Sequence, residues 1–582
     1  MLAKPIEIIQ ILDELRNNSL YVHNERFKEL AFNIQEFRER PVYLVETLAT
    51  INALVKKGTM LLYGGHGGGK TTLSKYLGQI FHGKTISEIE QSILRGHPQL
   101  TEEKILGTLN FKQMLDPSLI PDNGNIEVKW NNFIKSPWKI IDEINRLSPY
   151  AQNILLSLLA EGVVKYHDQS YQVGNFTLFA TMNPPDEGNY ELPIPFMDRF
   201  ALALPITMPD YASMQTIGKK DKLSIRESFP FSLKNNIIYD IQDEVAELKY
   251  DPEAEEFIDN IIADYRLCDR TQKEANESQT VDTGLCTYGT ECRYNLTGLV
   301  CNKIINPLSV RVKEDLYRYG RALAWFLGYD TVSSLHIKSI APYLIWHRSK
   351  LSKKYLNENN KDYIDNNIFI TNPELDGTRK ILDQIYTRFN KRYPEFIVKY
   401  KKALNAELQT LELEKLIKDS KSVEDDLLIK TEIYPGLLQL YEIYESLKNY
   451  TDQIENANSI HELLELKNSI KRTYKIQNRQ LLSDRIDRLM ALKKIHGFEI
   501  EKYIVTDSTS ISDGKIKERL IELYGDNLDF ELHKEATLSR SSDDFLLTVK
   551  PTRSPLGIKL LFKYQGPQNE ITSELLKVGS KE

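Results

Sequence analysis

The chain has 582 residues, of which 41% are apolar and 27% charged, and its formal net charge is −7. This balance fits an ordinary soluble protein of several domains and excludes the strongly basic footprint of a dedicated nucleic-acid binder. There is no run of 18 or more uncharged apolar residues, and acidic residues interrupt or follow the apolar patch at 6–12. Neither a membrane span nor a secretory signal is therefore expected, and the reading is cytoplasmic.

Residues 1–57 read as amphipathic helix, with Leu44, Leu48, Ile51, Leu54 and Val55 recurring at helical spacing. Gly58 ends that pattern, and the spacing predicts a short buried strand over 59–63, a glycine-rich loop and a helix over 71–81. Further strands are predicted at 139–141 and 176–181, with helices between them. That alternation implies an α/β fold, a parallel sheet covered on both faces. From 211 to 350 the chain reads as mostly helical, with Asp251-Pro252 marking a helix start. A polar stretch at 349–367 follows. Charged helical patterns broken by Pro394 and Pro435 then lead to a helix predicted over 459–496, opened by a Ser459/Glu462 capping box and closed by Gly497. Two strands are predicted near the end, at 545–550 and 557–564.

Residues 64–71 read Gly-Gly-His-Gly-Gly-Gly-Lys-Thr, the G-x-x-x-x-G-K-[ST] phosphate-loop pattern. Glycines let the backbone wrap closely around phosphates with its N–H groups pointing inward, and the helix that follows adds its positive end. Lys70 is expected to reach the β- and γ-phosphates and Thr71 to ligate Mg²⁺. Farther on, Trp138-Lys139-Ile140-Ile141 ends in Asp142-Glu143. A carboxylate at the tip of a buried strand can hold the magnesium shell, and its neighbour can polarise water, roles that suit Asp142 and Glu143 in turn. Asn183, in Met182-Asn183-Pro184 at another strand tip, could orient that water. The expected nucleotide-binding set is Gly64, Gly65, His66, Gly67, Gly68, Gly69, Lys70, Thr71, Thr72 and Asp142, with ATP and Mg²⁺ as cofactors. His66 is read as a residue on the solvent side of the loop.

The only cysteines, Cys268, Cys286, Cys292 and Cys301, are clustered with spacings C-x17-C-x5-C-x8-C. Four thiolates suit a tetrahedral structural zinc site, and Cys286 to Tyr294 resembles the middle of a Cys-Cys-Cys-His finger, although Leu296 stands where that finger has His. An iron–sulfur cluster and thiols that are free or disulfide-linked remain open beside zinc.

Asp142-Glu143-Ile144-Asn145-Arg146, then Thr181-Met182-Asn183-Pro184, then Met197-Asp198-Arg199-Phe200 resemble, in order and spacing, the MoxR family of AAA+ ATPases over about residues 25–350. The resemblance implies a P-loop AAA+ module with an all-α lid, with 85–137 as the helix-2 insert and 163–173 as the pre-sensor hairpin. It implies that Asn183 is sensor 1, that Arg199 is the arginine finger reaching a neighbouring subunit's site, and that Arg311 is the sensor 2 arginine of the lid. The chain departs from the family in having His66 and extra glycines in its loop, in a cysteine-bearing insertion, and in its C-terminal segment, which has no counterpart there.

The expected division is 1–210, N-terminal helices and nucleotide-binding domain; 211–350, lid with a cysteine insertion at 266–303; 351–500, helical arm; and 501–582, small C-terminal α/β domain. The expected function is ATP hydrolysis by a ring homo-oligomer, a hexamer, coupled to remodelling, assembly or metal loading of a partner protein. The resemblance implies a partner with a von Willebrand factor A domain. The alternatives are a nucleic-acid-stimulated motor of the restriction-translocase type, which the acidic balance disfavours, and a nucleotide-gated scaffold.

Overall fold

The computed structural model describes residues 3–18, 25–65, 67–116, 126–184, 190, 192–207, 215, 232–233, 237–267, 299–358, 372–405 and 407–442, together with strands at 503–504, 528–534, 544–551, 558–565 and 570–575. They fall into two compact units, Met1–Lys402 with Leu416–Pro435 and Ala403–Lys415 with Gly436–Glu582.

The first unit opens with helix α1 (Ala3–Asn18) and helix α2 (Leu44–Leu54). The continuous helical reading of 1–57 fails between them: residues 25–43 form an irregular connection with one short 3₁₀ turn at Gln35–Phe37. Glu36, Arg38, Glu39 and Arg40 leave no apolar stripe there, and Pro41 withholds an amide donor. Arg16 of α1 reaches Glu46 of α2 at 2.5 Å, and Arg40 from the connection reaches Asp13 at 2.6 Å.

The chain continues through strand β1 (Gly58–Tyr63), helix α3 (Lys70–His82), β2 (Ile93–Arg95), β3 (Gly107–Leu109), β4 (Val128–Trp130), β5 (Trp138–Asp142), α4 (Pro149–Glu161), β6 (Val163–Tyr166), β7 (Gln169–Gln172), β8 (Thr177–Met182) and β9 (Leu202–Pro205). β2, β5, β8, β1 and β9 lie side by side in that order, all parallel. Their apolar runs are buried on both faces, as parallel strands require, with Leu62, Ile140, Phe179 and Leu202 wholly inaccessible. Two antiparallel strand pairs stand apart from this sheet. β3 pairs with β4 inside the segment read as an insert, and β6 pairs with β7 through a two-residue turn at His167 (φ 45°) and Asp168 (φ 58°). β2 and β9 are too short or too mixed in sequence to be predicted from pattern.

Helices α5 (Ile237–Glu247), α6 (Pro252–Asp264), α7 (Val310–Leu327), α8 (Ser334–Ile345) and α9 (Pro373–Arg392) follow, with a short parallel pair of strands, β10 (Lys249–Tyr250) and β11 (Thr331–Val332), between them. α6 begins at the predicted proline, although the Asp251 side chain forms no capping bond. α7 is joined to the foot of the sheet by Tyr319, whose buried hydroxyl donates to Asn52 Oδ1 (2.8 Å) and accepts from the Thr59 amide (3.2 Å). α9 docks on α6 through Arg388, which donates to the buried Asp264 carboxylate at 2.7 Å.

In the second unit, β12 (Tyr503–Ile504), β13 (Leu528–Lys534), β14 (Asp544–Pro551), β15 (Ile558–Gln565) and β16 (Glu570–Leu575) form one antiparallel sheet in the order β12-β16-β15-β14-β13. β14 and β15 are the two strands expected from sequence. The helix predicted over 459–496 lies outside the described residues. Among the described residues no helix is long and apolar enough to cross a membrane.

Candidate nucleotide-binding and hydrolysis site

β1 delivers the chain into the glycine-rich loop at the C-terminal edge of the sheet. A Cβ on Gly64 would lie 2.1 Å from the Ile206 carbonyl oxygen, so the residue that leaves β1 beside β9 has no room for a side chain. Gly67 (φ 81°) and Gly69 (φ 78°) take left-handed conformations, and Gly69 caps the N-terminus of α3. Above Gly65 and Gly67 nothing lies within 4 Å of where a Cβ would be, which leaves the cradle open.

Lys70 is buried in the first turn of α3. Its ammonium donates to Gly64 O (2.6 Å), Gly65 O (2.7 Å) and Asn183 Oδ1 (3.1 Å). Burial lowers its pKa, and the negative charges of Asp142 and Glu143 partly offset that. Thr72 is exposed on the same turn, and His66 lies outside the described residues.

The two acids are placed by strand register. Ile141 of β5 pairs with Ala180 of β8, so Asp142 and Glu143 emerge beside Thr181 and Asn183. One oxygen of Asp142 accepts from both Thr71 Oγ1 (2.9 Å) and Thr181 Oγ1 (2.7 Å). Glu143 leaves the strand in a left-handed conformation (φ 56°, ψ 55°), held by its amide, which donates to Thr181 Oγ1 at 2.9 Å. Its carboxylate accepts from Asn183 Nδ2 at 3.0 Å and pairs with Arg146 Nε at 3.2 Å. Asn183 thus bridges Lys70 and Glu143, and Asn145 Nδ2 fixes it by donating to its carbonyl at 3.0 Å. Thr181 and Asn145 had no role assigned from sequence. Their signal was position, a threonine at a strand tip and an amide two residues past the acids.

These residues fit a nucleoside triphosphate with Mg²⁺. The open glycine cradle, the helix N-terminus and the ammonium suit phosphate, and the adjacent Thr71 hydroxyl and Asp142 carboxylate are the hard oxygen donors magnesium takes.

Arg199 and Arg311 lie together, in a second cluster. Arg199 follows the short helix Ile194–Met197, and its Nε is buried without a hydrogen-bond partner. Partial burial, and then the positive charge of Arg311, lower its pKa. Arg311, near the start of α7, pairs through Nη1 with Asp198 at 3.0 Å, and Ser309 Oγ donates to the same carboxylate at 2.7 Å. The structure therefore brings the arginine expected as sensor 2 to the residue beside the expected finger. Asp198 and Ser309 had been given no part.

Of the cysteines, Cys301 is buried in the turn Val300–Asn302, and Cys268, Cys286 and Cys292 lie outside the described residues. Among the described residues no group of three or more His, Cys, Asp or Glu could hold a metal ion, so the zinc expectation has no support there.

Residues 59–200 match the AAA domain family, dynein-related subfamily. Bacillus subtilis (strain 168) YeaC, described as an uncharacterized protein, is 28% identical over 226 residues, which are 37% of this chain and 63% of that protein. The chain thus matches less than two thirds of that relative's length. A crystal structure from Cytophaga hutchinsonii, described as a candidate ATPase, aligns with a TM-score of 0.44 at 21% identity over 66% of this chain and 95% of the other. The parallel sheet, its flanking helices and the family match give the first unit an α/β P-loop AAA+ fold, a module that uses nucleotide and Mg²⁺.

Proposed function

We propose that this chain is a Mg²⁺-dependent, MoxR-like ATPase whose turnover remodels, assembles or metal-loads a partner protein. The observation that carries the reading is the hydrogen-bonded chain from Lys70 through Asn183 to Glu143, with Thr71 and Asp142 alongside. Lys70 and the loop amides bind phosphate oxygens, and Mg²⁺ when bound neutralises charge on the β- and γ-phosphates. Thr71 and Asp142 hold its shell. Glu143 accepts the proton of the attacking water, and Asn183, already bonded to Glu143, orients that water. A pure nucleotide binder needs no carboxylate so placed. Arg199, whose buried Nε has no hydrogen-bond partner, serves the site of the next subunit in a ring, which we take to be a hexamer. The partner we propose carries a von Willebrand factor A domain and works in the cytoplasm.

The test is ATP turnover against protein concentration for wild type, Glu143→Gln and Arg199→Ala. The expected result is a specific rate that rises with assembly, two inactive variants, and partial recovery when they are mixed. Wild-type turnover by Arg199→Ala would remove the finger assignment. An assembled wild type that binds but never hydrolyses ATP would leave a scaffold.

A further inference from the structure

The short segment Asp198-Arg199-Phe200 is bonded on one side by residues of the helical lid. Asp198 accepts from Ser309 (2.7 Å) and Arg311 (3.0 Å), and Arg348 Nε lies 3.8 Å from the same carboxylate. The Phe200 carbonyl accepts from His347 Nε2 (2.7 Å) and Arg348 Nε (3.1 Å). Arg348 is 2% exposed, and its Nη2 also pairs at 2.7 Å with Asp315 of α7, which is 7% exposed. Trp346, the residue before His347, donates to Ala203 O at 2.7 Å, so three consecutive lid residues hold the finger segment and the strand after it. From the sheet side, Thr59 Oγ1 donates to Arg199 O and accepts from the Ala201 amide, both at 2.9 Å.

Buried ion pairs between separate elements tolerate little displacement, because parting them leaves charge without a partner in a dry site. Arg348 Nη1, His347 Nδ1 and Arg199 Nε are buried without partners. His347 is buried beside Arg348, which pushes its pKa down to about 3, so its Nε2–H stays a donor to Phe200 throughout the neutral range.

We propose that Asp198 and Arg348 are positioning residues for the arginine finger, so that the position of each subunit's lid sets whether its Arg199 reaches the neighbour's site. This rests on the ATPase reading above. It predicts a defect that acts in trans: a subunit with a broken clamp keeps a sound phosphate site but cannot serve its neighbour.

Asp198→Asn keeps the shape of the side chain and removes the charge that holds Arg311 and faces Arg348. Its turnover should fall at least tenfold with nucleotide affinity within about twofold of wild type. Mixed in equal amounts with Glu143→Gln, it should regain activity at about a quarter of the sites, those where an intact finger faces an intact base in a closed ring. Mixed with Arg199→Ala, it should regain none. Ser309→Ala, which removes one hydrogen bond at a half-buried position, should give the same pairing pattern with a smaller loss and guards against a folding defect. Full turnover by Asp198→Asn, or rescue by Arg199→Ala in place of Glu143→Gln, overturns the proposal while the ATPase reading stands. A silent wild type overturns that reading and this proposal with it, and a fully active Arg199→Ala removes the finger and therefore this proposal alone.

Discussion

Lys139 lies on β5 three residues before Asp142, wholly buried, and its ammonium donates to the carbonyls of Phe133 (2.5 Å), Ile134 (2.7 Å) and Ser136 (2.8 Å). It closes the C-terminal end of the short helix Asn132–Lys135, and burial pushes its pKa down to about 7. A buried acceptor left unpaired costs about 1–3 kcal/mol, so Lys139→Met should lower unfolding stability by about 2–4 kcal/mol in a denaturant titration. The hydroxyl of Thr181 has a different task. It donates to Asp142 and accepts from the Glu143 amide, and so ties both acids to β8. Thr181→Val keeps the volume and loses both bonds. ATP turnover should fall about tenfold with nucleotide affinity little changed, because residues that orient a catalytic group cost about that much when lost.

At the scale of elements, the site depends on how closely strand exits approach. Past the end of β2 the Gly96 amide donates to Asp142 O at 2.7 Å, and a Cβ there would lie 2.0 Å from the Glu143 carbonyl oxygen. Gly96→Ala cannot be accommodated without moving the backbone that presents both acids. Turnover should drop more than tenfold, a far larger effect than on global stability, and a crystal structure of the variant should show Glu143 displaced. The phosphate loop, strand tips and acids were legible in sequence because each is a contiguous string whose chemistry needs that order. β2 was not, because its three residues gain strand character only by pairing with β5. The break between α1 and α2 was missed because periodicity from α2 was extended across Pro41.

At the scale of the molecule, His336 and His347 are buried and His82 half-buried, all in the neutral form. Burial holds His82 and His336 to about 4 and His347 to about 3. Their pKa values in the folded chain lie below the unfolded value of about 6.5, so the unfolded state takes up protons first as pH falls. Stability is therefore fully present above about pH 6.5 and declines below it, by about 1.4 kcal/mol per pH unit for each histidine, until the folded pKa is reached. The thermal midpoint should fall between pH 6.5 and 4, and His82→Phe, which keeps an edge-on ring contact with Trp138, should flatten that fall relative to wild type.

What the sequence determined by itself was local and periodic: the phosphate loop, the acid pair at the end of an apolar strand, the asparagine at the next strand tip, and the alternation that makes a parallel sheet. Each is written in neighbouring residues, so its chemistry follows from order alone. What only the tertiary structure decided was the company these residues keep. Lys70 meets Asn183 across 113 residues, Asp198 meets Ser309 and Arg311 across 111 and 113, and Phe200 meets His347 and Arg348 across 147 and 148. The first joins α3 to the tip of β8 and the others join the finger segment to the lid, and no string of neighbours encodes them. They exist because burying both elements' apolar faces brings those polar groups together out of water, where each must find a partner.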